Sequence, residues 1–193
     1  MLHLLQPTPT DWVAAVREDL GGLLADHAHC ELKAAQSALS LIGRFGAEDA
    51  GLIEPLAELA REETQHFRQV HERIVARGGT MTRPGKDEYV NALRARVRED
   101  HGDAPVLLDR LLIAALIEAR SCERFKRLAE GLSDPDLADF YRALMAAEAR
   151  HYTLFSGLAE ERFGGDARRR LARLAEREAE VVHHLPLGPT VHG

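Results

Sequence analysis

Apolar residues recur every three to four positions over long stretches of the chain, and no stretch alternates apolar and polar residues as a half-buried strand requires. The pattern predicts an all-α protein. Leu24, Ala28, Leu32 and Ala35 share one face of a helix expected over 22–45 and closed by Gly46. A short helix over 11–19, opened by Thr10 or Asp11, precedes it and stops at Gly21 and Gly22. The second long helix is expected over 48–77, with Pro55 tolerable only in its first turns and Gly78-Gly79 at its end. A third, over 104–130, ends at Gly131. A fourth runs from Pro135, behind Asp134 as N-cap, to Phe163. An Arg-rich helix over 166–183 and a turn-like tail, LPLGPTVHG, complete the chain.

The connection over 78–104 holds a short amphipathic helix near 87–98 and is long enough to cross the length of a bundle, which a tight turn of about four residues is not. Two antiparallel hairpins joined by one long crossover predict a ferritin-like four-helix bundle, with short extra helices at the termini and in the crossover. A helical bundle without a cofactor is the plain alternative. The expected organisation is one domain over 1–193.

Composition narrows the class. At 193 residues, 45% hydrophobic and 29% charged, the chain is neither a disordered tail nor a fibre. Its longest apolar runs, such as 111–117, fall far short of the roughly 18 to 20 residues of a membrane span. The opening MLHLLQPTPTDW has no basic segment followed by an apolar one, so a cytoplasmic protein is expected. Two cysteines, Cys30 and Cys122, are too few for a disulfide framework and form no CxxC pair. A formal charge of −6 argues against a general polyanion binder yet permits a local basic patch.

Ten histidines direct attention to metal chemistry. A glutamate and a histidine at i and i+3 lie on one helix face, so Glu-x-x-His turns both toward one side of a metal pair. Glu63/His66 and Glu148/His151 have this spacing, as do the acid–histidine pairs Asp26/His29 and Glu180/His183. Chance alone supplies roughly 1.6 such pairs in a chain of this composition, so spacing is weak support by itself. Level in the bundle separates them. With the first turn near residue 47, Glu31 and Glu63 each lie 16 residues from it; with the second near 133, Glu118 and Glu148 each lie 15 residues from it. Glu123 sits about 7.5 Å off that level. Asp26 is displaced in the same direction, and Glu180/His183 lies outside the four long helices.

Glu118 interrupts the apolar run LLIAALIEA, and a buried carboxylate costs several kcal/mol unless it is paired or metal-bound. Four carboxylates and two imidazoles at one core level repel each other without cations. Glu31, Glu63, His66, Glu118, Glu148 and His151 are therefore the candidate ligands of two metals, and the mixed donor set suits iron or manganese better than magnesium or zinc.

The stretches HAHCELKAA, EETQHF, IEARSCERF and AEARHYTLF, with their spacing over nearly the whole chain, resemble the MiaE family of ferritin-like di-iron tRNA hydroxylases. The resemblance implies two irons on those six residues, with Glu63 and Glu148 as bridges. It implies dioxygen as co-substrate, two electrons from an external reductase or ferredoxin, and hydroxylation of the isopentenyl group of 2-methylthio-N6-isopentenyladenosine beside the anticodon. A monomer is the implied state. Phe67, Leu116, Phe125, Tyr152 and Phe155 are candidates for an apolar path to the metals, and Tyr152, next to a ligand, for a hydrogen bond near the site.

Phosphate binding needs cations. The stretch 77–98 holds six basic and two acidic residues, and Arg83, Lys86, Arg94, Arg96 and Arg98 within it are the expected tRNA contacts. A second basic run spans 162–173, and Arg120, Arg124, Lys126 and Arg127 add charge on the third long helix. The rival function is iron handling by a ferritin- or rubrerythrin-like ferroxidase or peroxide scavenger; the missing CxxC pair disfavours a rubrerythrin, and the crossover and its local basic charge disfavour a storage shell. An oxygenase acting on a small molecule or a carrier-bound acyl chain would share the ligands.

Overall fold

A computed structural model of the chain describes residues 2–192. Seven α-helices and no strand occur among them: α1 (Trp12–Glu18), α2 (Leu20–Phe45), α3 (Ile53–Ala76), α4 (Glu88–Glu99), α5 (Val106–Gly131), α6 (Pro135–Phe163) and α7 (Gly165–His184). A 3-10 turn over Ala50–Leu52 precedes α3. The connectivity is the expected one of two hairpins, α2/α3 and α5/α6, with the crossover carrying α4. Among the described residues, no helix is long and apolar enough to cross a membrane.

Two helix starts differ from the sequence expectation, each because of a cap. Asp19 accepts a hydrogen bond from the Gly22 amide at 2.8 Å and opens α2, so the glycine pair lies in the first turn of α2 and does not terminate α1. A Cβ on Gly22 would fall 2.2 Å from Asp19 Oδ2, so a larger residue there would push the capping carboxylate aside. Asp49 caps the 3-10 turn through the Gly51 amide, which delays α3 to Ile53 and leaves Pro55 in the first turn, where its missing N–H costs nothing. Asp87 and Asp134 cap α4 and α6 in the same manner.

Contacts divide the chain into two compact units. One comprises 16–86 with 189–191. Here α2 packs along α3, with Leu24, Ala28, Ala35, Ala38 and Leu41 of α2 and Leu56, Leu59, Val70 and Ile74 of α3 all buried. The buried stripe of α2 passes through Glu31 and leaves Leu32 half-buried, because positions 24, 28, 31, 35 and 38 keep the period that the helix requires. A carboxylate thus occupies a core position.

The other unit comprises residues up to 15, then 87–188 and 192. In it α5 pairs with α6, and α7 packs on α4, α5 and α6. Trp12, Tyr89, Phe125, Tyr141 and Phe155 fill its interior. An ionic cluster lies among them. Fully buried Arg120 donates to Glu178 Oε1 from Nε (2.9 Å) and Nη2 (2.8 Å), to Glu123 Oε2 (3.1 Å) and to the Gln6 carbonyl (2.8 Å). Tyr89 donates to the same Glu178 oxygen at 3.1 Å. Thr8 donates to Glu123 through both its amide and its hydroxyl, and Arg127 donates to Glu123 at 2.6 Å. Arg124 stacks 4.9 Å over the Trp12 ring. Burial pushes the Glu178 carboxyl above the ordinary range despite Arg120.

Candidate metal centre

In the first unit, one turn of α3 places Glu63 and His66 on the face that packs against α2, where Glu31 lies. All three side chains are buried, and each offers a donor atom within 4.8 Å of the others. His66 Nδ1 is 3.1 Å from Glu63 Oε2 and 3.8 Å from Glu31 Oε2. The second unit repeats the arrangement. Glu118 on α5 and Glu148 and His151 on α6 are buried within 4.8 Å of one another. His151 Nδ1 lies 3.9 Å from both Glu118 Oε2 and Glu148 Oε1. In both hairpins, then, the same imidazole nitrogen faces one carboxylate from its own helix and one from the neighbouring helix.

This donor set fits a transition metal. Two carboxylates held beside an imidazole in a low-dielectric interior repel each other, and a divalent ion removes that penalty. Donors bound to one ion at about 2.1 Å lie up to about 4.2 Å apart, so groups already this close need only side-chain rotation to share an ion. Hard oxygen donors with one nitrogen per hairpin suit iron or manganese.

The other acid–histidine pairs are otherwise engaged. Asp26 accepts from the Val191 amide at 2.7 Å and from Cys30 Sγ, and the His29 ring lies 2.7 Å from the Thr82 carbonyl. Glu180 pairs with Arg177, and Glu123 with the arginines of the buried cluster. Burial raises the Cys122 thiol to about 11, so it packs as a protonated thiol and donates to the Met145 carbonyl. Tyr152 hydrogen-bonds the His3 ring and stacks on it. Phe125 packs against Tyr141 as ordinary core, and Phe67 is half-buried beside His71.

The basic residues separate into two kinds. Arg83, Lys86, Arg94, Arg96 and Arg98 are all exposed. Arg96 pairs with Glu99, whereas Arg83, Lys86, Arg94 and Arg98 have no ion-pair partner among the described residues. The second basic run is largely neutralised internally. Arg162, Arg168 and Arg169 pair with Glu161, Glu160 and Asp166; Arg170 and Arg173 converge on Asp100, and Arg170 also binds Asp109. Arg120 and Arg124, expected on a charged face, are buried. Pairing across 58 residues, as between Arg120 and Glu178, leaves no trace in local charge counts.

Sequence reasoning also missed His27. It is fully buried, and its Nε2 lies 2.6 Å from Glu31 Oε1. Its position four residues before Glu31, on the same helix face, was the available signal.

Comparison with known proteins places these observations in a family. The chain is 44% identical over 163 residues to a tRNA 2-(methylsulfanyl)-N(6)-isopentenyladenosine(37) hydroxylase of Pseudomonas putida, covering 83% of this chain and 76% of that protein. It is 32% identical over 224 residues to the protein so named in Salmonella typhimurium, covering 91% and 82%. Among solved structures, a Synechococcus protein described as having aldehyde deformylating oxygenase activity superimposes with a TM-score of 0.90 at 39% identity, covering 98% of this chain and 95% of that one. The fold is of the ferritin-like class. With a family model matching residues 1–193, the chain belongs to the MiaE family, the tRNA-(MS[2]IO[6]A)-hydroxylases.

Proposed function

We propose that this chain is an O2-dependent di-iron mono-oxygenase that hydroxylates the isopentenyl side chain of 2-methylthio-N6-isopentenyladenosine in tRNA, next to the anticodon. Glu31, Glu63, His66, Glu118, Glu148 and His151 hold the two irons. The single observation that carries this reading is the repeated geometry of the two hairpins, each with a buried Glu and a buried Glu-x-x-His within 4.8 Å, in a chain of the hydroxylase family. Bound there, an iron pair supplies the activation of dioxygen needed to insert one oxygen atom into an unactivated C–H bond, with two electrons from an external donor and the second oxygen atom leaving as water.

The chain's own part is to position and to shield. Helical spacing fixes each histidine against its glutamate before metal arrives, and Leu116 and Phe155, both buried, give the ligand helices an apolar setting that keeps water from the oxidant. No side chain is required as a nucleophile. No GxGxxG fingerprint for a nicotinamide or flavin occurs, so a separate reductase or ferredoxin supplies the electrons. A tRNA substrate supports a cytoplasmic location.

The test is a single turnover. The iron-loaded, anaerobically reduced protein is given prenylated tRNA and oxygen, and the digested nucleosides are weighed. A gain of one oxygen on the prenyl adenosine is expected. Oxidised iron with an unchanged nucleoside would transfer the chain to iron handling or to another substrate.

Phosphate contacts are assigned to the exposed crossover cations. Changing Arg94 and Arg98 together to Ala should weaken tRNA association about tenfold near 0.1 M salt and reduce the slope of log K against log salt by about 1 to 2, with iron content unchanged. Affinity measured by filter binding over a salt series reads both quantities. An unaltered slope would move the RNA surface elsewhere.

A further inference from the structure

The two hairpins repeat their ligands, but the residue one turn before the first glutamate differs between them. Adding 87 residues takes Glu31 to Glu118, and the same step takes His27 to Ala114. His27 is fully buried one turn before Glu31, with Nε2 2.6 Å from Glu31 Oε1. A carboxylate only accepts, so Nε2 carries the hydrogen and donates. Ala114 is buried as well, and its methyl group can donate nothing. We propose that His27 is a positioning residue that ties one oxygen of Glu31, presents the other as a single-oxygen ligand, and so makes the metal position served by α2 and α3 unlike the one served by α5 and α6.

The geometry supports each step. With Oε1 held by His27, the oxygen left for a metal is Oε2, and Oε2 is the atom found 3.8 Å from His66 Nδ1. Both partners lie in one helix at i and i+4, so backbone geometry fixes their approach without help from a loop. A hydrogen bond of this kind orients a ligating carboxylate and tunes its donor strength, and its loss typically costs 10- to 100-fold in metal affinity. Position 114 offers Glu118 no such donor.

This inference rests on the di-iron reading, and its test separates the two. The full chain and its His27→Leu, His27→Asn and His27→Gln variants are titrated anaerobically with ferrous iron by calorimetry, and the 57Fe-loaded proteins are compared by Mössbauer spectroscopy. Two inequivalent iron signals are expected in the unaltered chain. His27→Leu should weaken one of the two positions about 10- to 100-fold and shift only its signal. His27→Asn keeps a polar group too short to reach Glu31 and should do the same, which covers the case of a Leu variant that fails to fold. His27→Gln, whose amide nitrogen reaches about as far as Nε2, should restore both. Two irons bound with unchanged affinities and spectra in the Leu or Asn variant would overturn the inference alone, because a merely structural His27 would change thermal stability and leave the metals untouched. A chain that binds no iron at all would overturn the di-iron reading and this inference with it.

Discussion

Replacing Glu118 with glutamine should leave at most one metal per chain, reduce prenyl hydroxylation at least about a thousandfold, and raise the melting temperature of the metal-free protein. The first two outcomes follow from placing a neutral amide where a charged oxygen donor is required. The third follows from electrostatics. Glu118 sits in the apolar run of α5, and Glu118 and Glu148 both approach His151 Nδ1 at 3.9 Å. In the absence of cations this pair of carboxylates is repulsive in a low-dielectric interior, and an amide of the same shape removes the charge and keeps the packing. For a chain of this size, each kcal/mol of relief raises the melting temperature by about 2 to 4 °C. Metal content by mass spectrometry and calorimetry of the metal-free chain read the two effects separately. A Glu118→Gln protein holding two irons would remove this residue from the ligand set, and one that melted lower without metal would mean that Glu118 serves the fold.

The largest effect on stability is expected at Arg120. Arg120→Met should destabilise the protein by about 3 to 5 kcal/mol, because it leaves Glu178, itself fully buried, without its guanidinium partner and deprives Glu123 of one of its partners. The loss should depend on pH. Burial already holds the Glu178 carboxyl above its ordinary range, with Arg120 opposing that rise, so removing Arg120 lifts it further. A carboxyl whose folded value is raised contributes stability that is complete below its unfolded value of about 4.3 and is lost as pH rises through the folded value. The variant should therefore differ least from the unaltered protein in mild acid and most near neutrality. Denaturant midpoints measured across that range check the trend. Adding Glu178→Gln to Arg120→Met should recover a substantial part of the loss, since the cycle removes the orphaned charge. A variant equally compromised at all pH values would show that Arg120 acts through packing alone.

Local rules carried the reading of α6 and much of α3. Asp134-Pro135 opens α6 where the cap and the restricted proline require it, and Pro55 lies in the first turn of α3, the one place where it costs no hydrogen bond. The same period brought Glu63 to His66 and Glu148 to His151, and equal counting from each turn placed Glu31 and Glu118 level with them. These relations are legible because a helix rises 1.5 Å per residue and repeats every 3.6, whatever surrounds it. Charge was less legible. Two basic runs of equal local charge proved unlike: Arg94 and Arg98 stand open on α4, while Arg170 and Arg173 are tied to Asp100 some 70 residues away.

By itself, then, the sequence determined the helices, the Asp134 cap of α6, the hairpin connectivity and the duplicated Glu and Glu-x-x-His pattern, because each depends on spacing along one helix or across one turn. Tertiary structure alone decided that Arg120 and Arg170 are internal struts and that His27 Nε2 meets Glu31 Oε1 in the buried interior. The physical reason is range: backbone period and capping act within a few residues, whereas burial and charge pairing depend on partners that only the folded chain brings into contact.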